Sequence, residues 1–212
     1  MTLSKPYQYT KGRVEFYKLK FKVTADVLIP RPETELLVDE VLKLKPESVL
    51  DLGTGSGVIA IAIAKNLPNT KIIASEISKK ALKVARQNAK FHLVNIKFVL
   101  SNLLENIMEP VNIIVTNLPY IPTARIPYLD SSVKDFEPLI ALDGGEDGFA
   151  LYRKLFTQIQ EKGWQPKLLI GEVDYTHGEL AVNEALKFFP KAQVEVKTDL
   201  AHKQRILKIA FF

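Results

Sequence analysis

The stretch Val49-Leu-Asp-Leu-Gly-Thr-Gly-Ser-Gly57 decides the fold. Its first four residues are an apolar run carrying one acid, the form of a buried strand, and an apolar segment of helical length begins at Val58. Gly53, Gly55 and Gly57, with Thr54 among them, therefore fall at a strand-to-helix turn, where glycine lets the backbone turn tightly and approach a ligand. The spacing is G-x-G-x-G, not the G-x-G-x-x-G of a dinucleotide site, which speaks against a bound pyrophosphate. Asp51, at the strand end, can accept a hydrogen bond from a cationic amino group or a ligand hydroxyl. Glu76 closes the next apolar run, where a carboxylate can take both hydroxyls of a ribose. Glycine turns and solvated acids are each common, but their co-occurrence at one sheet edge points to a nucleotide-like ligand.

Outward from that turn, short apolar runs alternate with amphipathic stretches, the pattern of βαβ units. Strands are predicted over 48–52, 71–76, 96–100, 113–116, 167–172, 193–197 and 205–211, and helices over 58–66, 79–91, 149–162 and 177–189. Toward the N-terminus, 14–23 alternates apolar and basic residues from Tyr17 onward and predicts a half-buried strand or small hairpin, an appendage over 1–30 to a domain over 31–212. Pro30 and Pro32 break regular structure, and Thr34 is placed to cap a helix running to about Leu44. The irregular segment 117–148 is far longer than a usual α/β connection and rich in proline and aromatic residues, which predicts an ordered substrate loop.

The chain has 212 residues, 47% hydrophobic and 25% charged, and no cysteine. That composition suits one globular domain burying roughly 70% of its unfolded surface without staples. Lacking cysteine, it excludes thiolate catalysis, iron–sulfur ligation and Cys-based zinc sites, and it suits a reducing compartment. His92, His177 and His202 have no ligand spacing, so no metal is expected. A net charge of +5 favours an anionic partner such as RNA, a ribosome or an acidic protein, or serves solubility alone. No signal-peptide pattern and no long apolar run is present, so a cytoplasmic, non-membrane protein is expected.

Asp51-x-Gly53-x-Gly55-x-Gly57 followed by Glu76 resembles the first two motifs of the seven-strand S-adenosylmethionine-dependent methyltransferases. The resemblance implies a Rossmann-like α/β sheet, mostly parallel, with a C-terminal antiparallel hairpin formed by the last two strands. It implies S-adenosylmethionine as cofactor, with the glycine loop under its methionine and ribose parts and the acid on the ribose. Where that family often directs an aspartate at the adenine amino group, this chain has Asn102, whose amide oxygen can still accept that hydrogen bond.

Asn117-Leu-Pro-Tyr120 follows the fourth strand and resembles the Asn-Pro-Pro-Tyr signature of methyltransferases that modify planar amide or adenine nitrogens. An amide nitrogen is a poor nucleophile, and methylating it requires acceptors on both N–H bonds that hold it in line with the sulfonium methyl. The resemblance assigns those acceptors to the Asn117 side-chain oxygen and the Leu118 carbonyl, with the Tyr120 ring packed on the planar group. Leu118 replaces a proline of the signature, keeping the carbonyl while adding an N–H, and Pro119 still biases residue 118 to an extended conformation.

Further stretches resemble one branch, the protein-(glutamine-N5) methyltransferases of the HemK/PrmC type, which act on the Gly-Gly-Gln loop of peptide-chain release factors. Val27-Leu-Ile-Pro-Arg-Pro-Glu-Thr-Glu35 is similar to that branch's lead-in loop, which helps enclose cofactor and substrate glutamine. Thr34 is thereby assigned to the cofactor, and Arg31, Pro32 and Glu33 to the substrate. The segment from Phe136 to Gly148, with Glu137 as a substrate residue, is similar to its long loop, and Gly171 to Gly178 to a late strand end. The implied partner is a release factor met on or near the ribosome, and the enzyme is expected to be a monomer. The branch's usual N-terminal helical domain is expected to be absent. Two other readings stay open: an adenine-N6 methyltransferase on DNA or RNA, since the same tetrapeptide can stack a flipped base, and a cofactor-binding scaffold with weakened catalysis.

Overall fold

A computed structural model describes residues 5–212. Four apolar runs fill the parallel centre of the sheet, with successive side chains pointing to opposite faces. Val49, Ile72, Ile113 and Ile170 join one buried cluster, and their neighbours Leu50, Ile73, Ile114 and Leu169 join another. Helices must then cover both faces, and they do.

In chain order the elements are α1 (Tyr7–Lys11), β1 (Arg13–Phe16), β2 (Leu19–Lys22), α2 (Glu35–Leu44), β3 (Ser48–Leu52), α3 (Val58–Asn66), β4 (Lys71–Glu76), α4 (Lys79–Phe91), β5 (Lys97–Leu100), β6 (Ile113–Thr116), α5 (Ser131–Lys134), α6 (Ala150–Glu161), β7 (Leu168–Glu172), α7 (Gly178–Phe188), β8 (Gln193–Thr198) and β9 (Gln204–Ala210). Each predicted strand and main helix lies within a residue of its expected bounds. The sheet order is β5-β4-β3-β6-β7-β9-β8, parallel from β5 through β7, with β9 antiparallel to both β7 and β8. The chain runs outward from β3 to β5 and then returns to β6 on the other side of β3. That reversal opens a crevice at the carboxyl ends of β3 and β6, the place where such sheets bind ligands.

Residues 14–23 form the small hairpin of β1 and β2. Its turn uses Tyr17 and Lys18 at φ of 50° and 59° without a glycine. Two carboxylates of α2 hold that turn: Glu35 accepts from the Tyr17 N–H and Asp39 from its hydroxyl, each at 2.7 Å. Phe16 and Phe21 are buried in the same cluster as α2 and α3, so the hairpin shares the domain's core. A buried amide on α4 also ties it down. Asn88 accepts from the Lys22 N–H at 2.8 Å and donates to the Lys22 carbonyl at 3.0 Å and the Ser56 carbonyl at 2.8 Å.

Two local expectations need correction. Thr34 does not cap α2, because a 3-10 turn over Pro32–Thr34 runs straight into the helix and the Glu35 N–H bonds back to it. The Thr34 hydroxyl is free to act elsewhere. The segment 117–148 is not irregular throughout: it holds 3-10 turns at Thr123–Tyr128 and Leu139–Ala141 around α5, whose first turn Asp130 caps. Its two ends meet at a bridge between Ile121 and Asp143. Gly144 lies against this junction, where a Cβ would stand 2.6 Å from the Gly148 carbonyl oxygen and 2.8 Å from both the Pro119 oxygen and the Tyr120 Cα.

Candidate active site

At the crevice lies a cleft open to solvent. Its walls bring together the lead-in loop, the glycine turn, the ends of β4 and β5, the Asn117 segment and the tip of the long loop. Thr34, Gly53, Thr54, Gly55, Glu76, Asn102, Asn117, Leu118 and Pro119 all line it.

The glycine turn is built by close approach and by backbone bonds. Gly57 has φ of +86°, and a Cβ there would meet the Ala85 backbone of α4 at 3.3 Å, so the α3–α4 contact needs glycine. The Gly53 and Thr54 N–H groups both donate to the Ser75 carbonyl at 2.9 Å. Glu76 accepts from the Gly55 N–H at 3.0 Å with one oxygen and from the Ser78 N–H at 2.9 Å with the other. Each carboxylate oxygen keeps a lone pair for a ligand hydroxyl. A Cβ at Gly55 would meet nothing within 4 Å, which leaves open space above the loop.

Asp51 is placed differently from expectation. Its carboxylate is fully buried and faces the loop: one oxygen accepts from the Thr54 hydroxyl at 2.6 Å and the Ala60 N–H at 3.1 Å. It does not reach the cleft, because the turn folds back over it. Burial, aided by the Glu76 charge, pushes its pKa up to about 7.

Asn117 follows directly on β6, where the Thr116 hydroxyl donates to the Leu52 carbonyl at 2.6 Å and closes the β3–β6 junction. The Asn117 amide nitrogen donates to the Thr34 hydroxyl oxygen and to Glu172, both at 3.1 Å. With its two hydrogens held, the oxygen is the polar atom the amide presents to the cleft. Leu118 is 3% exposed, and its side chain approaches Gly53 from below, its Cδ2 standing 3.5 Å from where a Cβ would be. It thus serves as packing under the glycine loop while keeping its carbonyl. The Tyr120 hydroxyl donates to Glu172 at 3.0 Å, and burial together with that carboxylate pushes its pKa upward, so it stays protonated.

The sequence reading assigned no role to Glu172, which ends β7 and is 1% exposed. It accepts from Thr34 at 2.7 Å as well as from Asn117 and Tyr120. Burial pushes its pKa up, while the Thr34 and Tyr120 hydrogen bonds and the Arg205 charge oppose that. An acid closing an otherwise apolar strand was the available signal. Ser56, Ile77, Leu103 and Ile140 also line the cleft without having been expected to.

The residues expected to bind substrate stand together at one side. Arg31 and Glu137 pair with each other at 2.6 Å, joining lead-in loop to long loop, with Glu137 6% exposed. Burial raises the Glu137 pKa against the pull of the Arg31 charge. Pro32 and Glu33 are exposed beside them. Among the described residues, no group of three or more His, Asp or Glu side chains is arranged to hold a metal ion, and no helix is long and apolar enough to cross a membrane.

Residues 32–126 match the family model described as the methyltransferase small domain. A release factor glutamine methyltransferase of Lactococcus lactis subsp. lactis (strain IL1403) is 36% identical over 209 residues, covering 97% of this chain and 77% of that protein. One from Streptococcus pneumoniae (strain ATCC BAA-255 / R6) is 38% identical over 208 residues, covering 97% and 75%. Among solved structures, the N-terminal domain of human METTL16 in complex with SAH superposes at a TM-score of 0.64 with 14% identity, over 92% of this chain and 77% of that one. A ribosomal protein L11 methylase from Lactobacillus delbrueckii subsp. bulgaricus gives 0.59 with 19% identity, over 86% and 79%. These two likenesses concern the fold alone. Identity with the curated relatives is much higher and extends over 97% of this chain, and it places the chain in the release factor glutamine methyltransferase family.

Proposed function

We propose that this chain transfers a methyl group from S-adenosylmethionine to the side-chain amide nitrogen of the glutamine in the Gly-Gly-Gln loop of a peptide-chain release factor. The observation that carries the reading is the fixed Asn117 amide, whose oxygen is left as an acceptor on the cleft wall beside Leu118. The cleft fits the cofactor: the space above Gly55 is open, the Glu76 oxygens have lone pairs to offer a ribose, and Asn102 can accept from an adenine amino group. When bound, S-adenosylmethionine supplies an electrophilic methyl group on a positively charged sulfur. Asn117 Oδ1 and the Leu118 carbonyl accept the two N–H bonds of the substrate amide and hold its nitrogen along one line of approach. These acceptors also stabilise the positive charge that grows on that nitrogen. Proton loss to water can follow transfer, and no covalent intermediate is required. Arg31, Pro32, Glu33 and Glu137 flank the cleft at the point where a protein loop would enter. The domain that does this spans 31–212, with the hairpin as its cover. The same reading carries a monomeric, cytoplasmic enzyme that meets its partner on or near the ribosome.

The test is mass spectrometry of a Gly-Gly-Gln release factor and of an adenine-containing oligonucleotide after incubation with the protein and methyl-labelled cofactor. Label on the loop glutamine is the expected result. Label only on the oligonucleotide would give the site to adenine, and label on neither would leave a cofactor-binding scaffold.

A further inference from the structure

We infer that Glu172 is a positioning residue for methyl transfer: it decides which end of the Asn117 amide faces the substrate. The inference deepens the proposed function and rests on it. An asparagine amide has nearly the same shape in either orientation, so only its hydrogen-bond partners choose between them. The choice matters here, because a reversed amide would offer donors to a nitrogen that already carries two hydrogens, and the side-chain acceptor would be lost.

The fold sets the choice through strand register. Parallel pairing of β6 with β7 puts Thr116 opposite Gly171, so the next residues on each strand, Asn117 and Glu172, emerge side by side at the sheet's carboxyl edge. A carboxylate only accepts hydrogen bonds, and three side chains turn donors toward Glu172. Thr34 gives its hydroxyl hydrogen to Oε2 at 2.7 Å, Asn117 gives an amide hydrogen to the same oxygen at 3.1 Å, and Tyr120 gives its hydroxyl hydrogen to Oε1 at 3.0 Å. Having spent its hydrogen, the Thr34 oxygen accepts the second Asn117 hydrogen at 3.1 Å. Reversal would set the Asn117 oxygen against two acceptors, one of them charged and buried. The same chain of bonds polarises the amide and makes its free oxygen a better acceptor. Charge at Glu172, and not bulk, is therefore what the site uses.

Glu172→Gln keeps the volume, removes the charge and puts a donor on one of the two terminal atoms, which weakens that preference. We expect kcat toward the release factor to fall by up to ~10²-fold, the lower end of what outright loss of one oriented dipole costs, because Asn117 itself remains. The release-factor KM and the cofactor Kd should stay within about threefold, since ground-state binding does not use the amide's orientation. A second measurement needs no turnover: hydrogen exchange of the Asn117 side-chain NH₂ by ¹⁵N NMR, its signals identified by their absence from Asn117→Asp. Slow exchange in the wild type and exchange at least ~10-fold faster in Glu172→Gln is the expected result, because the charge-assisted acceptor is gone. An unchanged kcat, or exchange equally fast in both proteins, would overturn the inference. A wild type that labels no glutamine would instead overturn the proposed substrate, and the exchange comparison would still decide the orientation. If Glu172→Gln does not fold, Thr34→Val removes the other acceptor of the amide and must give the same two changes.

Discussion

Asn117 and Asp51 show how differently two polar residues at strand ends can be used. Asn117 is held by hydrogen bonds on one side and bare on the other, so truncation removes the acceptor facing the cleft together with the bonds behind it to Thr34 and Glu172. Asn117→Ala should lower kcat by ~10²- to 10³-fold with cofactor affinity kept within a few fold, checked by steady-state kinetics and calorimetric titration. A large loss of cofactor binding would reassign the residue. Asp51 is closed off instead, with one carboxylate oxygen lacking a partner. Its pKa in the folded protein, about 7, lies above the ordinary 3.8, so the folded state holds the proton more tightly than the unfolded chain. The stability this confers is fully present below about 3.8 and is lost as pH rises through about 7. Asp51→Asn cannot ionise, and its Tm should therefore fall less than the wild type's across that window; parallel Tm–pH curves would refute the assignment. Asp51 was legible in the sequence as a strand-end acid beside glycines. That it faces inward was not, because its partners, the Thr54 hydroxyl and the Ala60 N–H, depend on how the turn curls.

At the scale of elements, the long loop and the Asn117 segment act as one body. Ile121 accepts from the Gly144 N–H at 2.9 Å and donates its own N–H to the Leu142 carbonyl at 3.1 Å, so the loop's far end lies against the residues that follow the tetrapeptide. Gly144→Ala would push a methyl group into backbone that has no room to move. It should cost about 1–3 kcal/mol of stability, as overpacked sites do, and lower kcat by shifting Tyr120. Thermal melts and kinetics together check this, and a variant with wild-type Tm and kcat would show that the contact yields. The strands and main helices were readable to within a residue because the strands are short apolar runs, the helices longer and mostly amphipathic stretches, and turn-forming residues separate them. The short helical pieces of 117–148 were not, since each is held by tertiary contact more than by any periodic pattern. Glu172 was hidden for a related reason. Its strand was visible, but its nearness to Asn117 arises only once β6 and β7 pair in parallel.

Across the whole molecule, the reversal of strand order at β3 and β6 explains why residues as far apart in sequence as Thr34, Glu76, Asn117 and Glu172 converge at one sheet edge. The α/β class could be read from the alternation of apolar and amphipathic stretches, and a ligand site at one sheet edge from the glycine turn with Glu76, but the reversal itself shows only once the strands are paired. The hairpin could be read as strands but not as part of the core, because the burial of Phe16 and Phe21 depends on helices far along the chain. The amide of Asn88 gives that cover a further property. It grips both Lys22 of the hairpin and Ser56 of the glycine turn, so whatever stills the turn is felt at the outer surface. Cofactor binding should slow deuterium uptake at the Lys22 amide as well as around Gly55, and Asn88→Ala should confine the slowing to the turn. Uptake at Lys22 that ignores the cofactor in the wild type would show the tether to be slack. If it is taut, a strand pair that never touches the ligand becomes an outside gauge of whether the site is filled, readable by anything that docks there.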